Sequence, residues 1–141
     1  MLTELLTALG ITAKHLVSKS ITVRYPEERR EVFPRVRWRH KLMRHEDGLE
    51  RCIGCSLCEA ACPAHCIRVV AEENTDEHRF SPGERYAKEY EINMIRCIFC
   101  GMCQEACPVE AIVLREEFEL SDYEKESFIY TKERLLVTPQ A

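Results

Sequence analysis

Eight of the nine cysteines fall into two copies of one pattern. Cys52, Cys55, Cys58 and Cys62, followed by Pro63, return as Cys97, Cys100, Cys103 and Cys107, followed by Pro108. Both copies read C-x₂-C-x₂-C-x₃-C-P, the spacing with which a chain wraps [4Fe–4S] clusters. Thiolates three residues apart let one tight loop present three sulfurs to one cluster. The fourth cysteine lies four residues beyond the third, so a short helical turn aims it elsewhere, and proline ends the turn. A zinc ribbon needs only two C-x₂-C knuckles and would leave half of these sulfurs idle. A disulfide framework belongs to small secreted proteins, and nothing here suggests secretion.

In two-cluster ferredoxins the fourth cysteine of each motif ligates the other cluster. That places Cys52, Cys55, Cys58 and Cys107 on one cluster, and Cys97, Cys100, Cys103 and Cys62 on a second. Four thiolates per cluster leave no iron open to a substrate, so the expected chemistry is one-electron transfer. No Gly-rich dinucleotide loop and no nucleophile–base pair accompanies the cysteines, and no stand-alone catalytic residue or direct small-molecule substrate is expected.

Elements that must hold these loops follow from the rest of the chain. A shift of 45 residues superposes the copies, placing Cys66 opposite Ala111 and Ile67 opposite Ile112. Cys66 therefore reads as a buried free thiol, and His65, opposite Glu110, as exposed. Ile53, Ile67, Ile98 and Ile112 recur as expected apolar walls around the clusters, which tune potential by limiting solvent. Arg51 and Arg96 stand beside the motifs as candidate charges on the potentials. Short strands are expected at Ile67–Ala71 and Tyr90–Met94, with Ser81-Pro82-Gly83 a turn between them. The fold class is α+β: a ferredoxin-like domain holding two [4Fe–4S] clusters, with an internal pseudo-two-fold repeat, plus an N-terminal amphipathic helix and an extended arm.

Leu2, Leu5, Leu6, Leu9, Ala13, Leu16 and Val17 follow one stripe of a 3.6-residue helix. Such a face must be covered, by its own domain or by a membrane surface and its proteins. Gly10 weakens the middle of that helix, where a bend is expected. Residues 20–46 read as an arm, with a strand signal at Ile21, Val23 and Tyr25. Arg35, Arg37 and Arg39 alternate with Val36, Trp38 and His40, and Trp38 reads as a contact anchor. His40 and His45 read as surface residues, since eight cysteines already complete two clusters. The expected segments are 1–19 (helix), 20–46 (basic arm), 47–115 (two-cluster domain) and 116–141 (acidic tail). Tyr130–Leu136 is an apolar element able to dock on a neighbour, and the last five residues are expected to be mobile.

Net charge of −4 hides an asymmetry. Residues 1–46 carry ten Lys/Arg against five Asp/Glu, while the remainder carries ten against nineteen. A basic arm on an acidic domain suggests a partner or an anionic surface. Without a duplex-binding motif, nucleic acid is not expected. No signal peptide pattern and no apolar run of about 18 residues is present, so no span is expected and the clusters point to a reducing compartment.

Beyond the two motifs, the surrounding sequence is more specific. Tyr25-Pro26-Glu27-Glu28, Gly48-Leu49-Glu50-Arg51-Cys52-Ile53, Ile92-Asn93-Met94-Ile95-Arg96-Cys97-Ile98-Phe99-Cys100-Gly101, Glu105-Ala106-Cys107-Pro108-Val109-Glu110-Ala111-Ile112 and Thr131-Lys132-Glu133-Arg134-Leu135-Leu136 closely resemble the subunit I family of bacterial respiratory NADH:quinone oxidoreductase, complex I. The resemblance covers nearly the whole chain. It implies a peripheral-arm subunit with two clusters, called N6a and N6b, relaying electrons from the NADH/flavin side towards the terminal cluster and quinone. By motif match N6a falls to Cys52, Cys55, Cys58 and Cys107, and N6b to Cys62, Cys97, Cys100 and Cys103. It further implies other subunits of the peripheral and membrane arms as partners, an N-terminal helix lying on the membrane surface, and a place on the cytoplasmic side of the inner membrane. Relatives usually have Ala where Cys66 stands. A diffusible two-cluster ferredoxin, or the equivalent subunit of a membrane-bound hydrogenase, shares both motifs and is the competing expectation.

Overall fold

The computed structural model describes residues 2–75 and 77–137. The chain divides into two units, Met1–Val32 and Phe33–Ala141.

In the first unit, helix α1 spans Leu2–Val17. Glu4 in its first turn and Lys14 and His15 in its last complement the helix dipole. The helix runs through Gly10 without a break. None of its residues is buried, and the leucine stripe lies open, with Leu9 65 % exposed. The strand expected around Ile21–Tyr25 does not form. Three alternating residues have no partner strand there, and a turn closes instead, with Glu28 N–H donating to Arg24 C=O at 2.8 Å.

The second unit contains β1 (His40–Leu42), α2 (Leu57–Ala60), β2 (Ile67–Glu73), β3 (Arg85–Asn93), α3 (Met102–Glu105), β4 (Ile112–Leu114), β5 (Ile129–Thr131) and α4 (Lys132–Leu135). β1 pairs antiparallel with β4, and β2–β3–β5 form a second antiparallel sheet. β2 and β3 outrun the expected short strands at their outer ends. The register shifts at a bulge between Val70 and Ala71, and beyond it Glu72 and Glu73 face Tyr86 and Arg85. Residues within the expected arm and tail contribute strands. His40–Leu42 supplies β1, while Tyr130 and Leu135 are buried against the unit's own core rather than left for a neighbour. Leu136 bridges Leu42, and Val137 N–H donates to Leu42 C=O at 2.9 Å, so the tail touches both sheets. Four of the five residues expected to be mobile, 138–141, lie outside the described ones.

Within this unit two arginines of the arm reach the acidic residues of the domain. Arg37 pairs with Glu105 at 2.9 Å, Arg39 with Glu117 at 2.5 Å, and Trp38 packs on Phe118 with centroids 4.9 Å apart. The core is small: Leu42, Ile67, Ala87, Tyr90, Ile92, Met94, Ile112 and Leu135 close around buried cysteines. Lys132 and Glu50 form a buried ion pair at 2.8 Å, with the Lys132 ammonium also donating to Ala87 C=O.

Candidate metal centres

The internal repeat is written in the backbone. Positive φ values recur at the 45-residue offset: Gly54 and Phe99 (63° and 53°), Ser56 and Gly101 (58° and 83°), His65 and Glu110 (46° and 49°). Left-handed residues at the first two pairs curl each loop ahead of its helix, so that two cysteines of the loop and the third, inside the four-residue helix α2 or α3, face one side. Gly54 is a position that only glycine fits. A Cβ there would meet Tyr86 C=O at 2.7 Å, besides the unfavourable φ. Phe99 takes the same conformation with its ring set against His40, centroids 5.7 Å apart.

Each loop closes on a cavity. One is lined by Cys52, Cys55, Cys58 and Cys107. The other is lined by the motif cysteines Cys62, Cys97, Cys100 and Cys103, with Cys66 also on its wall. In both, three sulfurs come from one motif and the fourth from the last cysteine of the other.

Hydrogen-bond donors point at these sulfurs. Phe99 N–H donates to Cys97 Sγ at 3.4 Å and Ala111 N–H to Cys107 Sγ at 3.2 Å. The Tyr90 hydroxyl lies 3.3 Å from Cys58 Sγ. Donors of this kind stabilise thiolates bound to iron, and the sites fit [4Fe–4S] clusters.

Burial is the largest influence on the thiols of Cys52, Cys58, Cys97 and Cys103. It pushes Cys52 up to about 11 and Cys103 up to about 12, and raises Cys58 and Cys97. Cys62 shifts the other way. Burial opposes its ionisation too, but the backbone N–H and thiol of Cys66, with N–H groups of Ala64 and His65, outweigh it and lower its pKa. Thiols held protonated in this way must release their protons when metal binds.

Other expected residues are placed as follows. Ile67 and Ile112 are buried and line the second and first cavity respectively. Ile53 is half-buried at the first, whereas Ile98 reaches the second while 65 % exposed, so that wall is open to solvent or a neighbour. Cys66 is buried and His65 exposed, as the repeat implies. Arg51 is half-buried, Arg96 exposed, and neither lines a cluster cavity. His45 is exposed, as expected, but His40 is not a surface residue. It is 1 % exposed, lines the second cavity and has Nε2 3.9 Å from Cys97 Sγ. Burial lowers its pKa to about 4, leaving a neutral ring. The alternation Arg37–Trp38–Arg39–His40 carried the signal, because a residue facing away from guanidinium groups faces the core.

Comparison with known proteins agrees with this geometry. Residues 51–119 match the family described as a 4Fe-4S dicluster domain. Two proteins from strains of Thermus thermophilus, named NADH-quinone oxidoreductase subunit 9 and subunit I, are each 59 % identical over 136 residues, covering 96 % of this chain and 75 % of theirs. Among solved structures, a chain of the membrane-bound sulfane sulfur reductase, an archaeal respiratory membrane complex, is similar with a TM-score of 0.55 and 30 % identity. That likeness covers 83 % of this chain and 56 % of the other.

Proposed function

Because this chain belongs to the NADH-quinone oxidoreductase subunit I family and is an electron-transfer subunit with two [4Fe–4S] clusters, we propose that its ligand sets are crossed. Cys52, Cys55, Cys58 and Cys107 hold one cluster; Cys62, Cys97, Cys100 and Cys103 hold the other. The observation carrying this reading is that each of these foursomes lines its own cavity. When bound, the clusters supply one-electron storage and transfer. The chain's own residues wrap them, exclude water with Leu42, Val69, Ile67 and Ile112, and donate N–H groups to the thiolates. The two sets interlock through Cys62 and Cys107, so the centres sit close enough for electrons to enter at one and leave at the other, from the flavin side towards quinone.

Other subunits of the complex are partners. α1 supplies the contact with the membrane arm on its cytoplasmic side. Its exposed leucine stripe supports that placement, and among the described residues no helix is long and apolar enough to cross a membrane. Deleting residues 2–19 tests it. The deletion leaves both clusters' EPR signals intact while the assembled complex in membranes falls several-fold; unchanged assembly would refute the role.

A further inference from the structure

Strand register reveals a second pair of counterparts that sequence alignment of the motifs misses. Val69 faces Tyr90 across β2–β3, and Leu114 faces His40 across β4–β1. Val69 and Leu114 are separated by the repeat offset of 45, so Tyr90 and His40 occupy equivalent places, although they lie 50 residues apart. Both are 1 % exposed. Tyr90 Oη lies 3.3 Å from Cys58 Sγ in the first cavity, and His40 Nε2 lies 3.9 Å from Cys97 Sγ in the second.

A neutral imidazole carries one ring proton. His40 Nδ1 is buried with no partner, whereas Nε2 faces a sulfur. A proton on Nε2 is used; on Nδ1 it would be an orphaned buried donor, which is costly. His40 is therefore an N–H donor to Cys97. The second cavity holds one more donor. Cys66 Sγ lies 3.4 Å from Cys62 Sγ, and at the equivalent place beside the first cavity stands Ala111, which has only its backbone N–H to offer Cys107.

We propose that His40 and Cys66 are potential-setting residues, donating hydrogen bonds to Cys97 and Cys62 and thereby raising the reduction potential of the second cluster, as the Tyr90 hydroxyl does for the first. The inference rests on the crossed ligation proposed above. A donor to a ligand sulfur stabilises the more negative, reduced state more than the oxidised one, so removing it lowers the potential. Neither residue ligates iron. Imidazole plus thiol on one centre, and phenol on the other, give the two halves of a repeated fold different electronic surroundings.

The test is EPR-monitored redox titration of the assembled complex in membranes, with iron content measured on each variant. His40→Phe and Cys66→Ala shift the second cluster's midpoint downward and leave the first unchanged. His40→Gln and Cys66→Ser, which keep a donor, return it part of the way. Tyr90→Phe lowers the first cluster's midpoint alone. An unaltered midpoint in His40→Phe or Cys66→Ala at full iron content would remove that residue's role. Where His40→Phe fails to load iron, the smaller Cys66→Ala and Cys66→Ser pair decides. Were Tyr90→Phe to move the second cluster instead, the ligand assignment itself would be wrong.

Discussion

Two halves of this domain share a backbone and differ in the side chains that face their sulfurs. Positive φ values and four-residue helices repeat at one offset, because each loop has the same geometric task of pointing three sulfurs inward. The differences are concentrated where sulfur is contacted or the loop is braced: Gly54 against Phe99, Ala111 against Cys66, Tyr90 against His40. Wrapping a cube of iron and sulfide constrains the main chain tightly and leaves the neighbouring side chains free to diverge. Such a repeat can keep two centres in fixed positions and still give them unlike properties.

The comparison breaks most completely if the crossing is cut. Cys107→Ala should abolish the cluster otherwise held by the first motif, and Cys62→Ala the one held by the second, each halving bound iron. EPR of the two variants reports this, and damage to the same motif's own cluster would mean that ligation is not crossed.

Acid should act on both halves together. The raised Cys52 and Cys103 values mean that these thiols are protonated at neutral pH before loading. Below the thiol pKa, each unit of pH lowered costs about 1.4 kcal/mol for every proton displaced. Reconstitution with iron and sulfide is therefore faster and more complete at pH 8.5 than at pH 6, followed by cluster absorbance. A flat profile would show that the thiols load already ionised.

Gly54 and Phe99 then separate the halves. Gly54→Ala forces a Cβ onto Tyr86 C=O in a left-handed residue and should cost roughly 1–3 kcal/mol. Phe99→Ala introduces no such clash and removes a ring packed on the core beside His40. Thermal melting with each variant's clusters in place should show the first motif's site lost earlier in Gly54→Ala. Smallest is Arg37→Ala. Arg37 donates to Cys100 C=O and pairs with Glu105, but the pair is more than half exposed, and melting should move by under about 1 kcal/mol.

How much of this was legible beforehand depends on range along the chain. Cysteine spacing, the proline stops and the leucine stripe are local, and the structure carries α2, α3 and α1 where they imply. The 45-residue shift also anticipated the burial of Cys66. What escaped was set by strand pairing. His40 looked like a surface residue until β1 met β4, and Ile21–Tyr25 alternates without any strand to receive it. Tyr130 and Leu135 advertised an apolar element, but only pairing with β3 and the Lys132–Glu50 ion pair determine that it folds onto its own domain. Likewise, Tyr90 and His40 sit at a different sequence offset from the motifs they serve, so no shift of the sequence on itself aligns them.

The most direct measurement is iron and acid-labile sulfide per chain in the full-length protein purified without oxygen. Two cubes held by eight sulfurs require eight irons and eight sulfides, with zinc absent. Zinc in their place, or one cube's worth of iron in fully folded protein, would contradict the shared wrapping from which every other step follows.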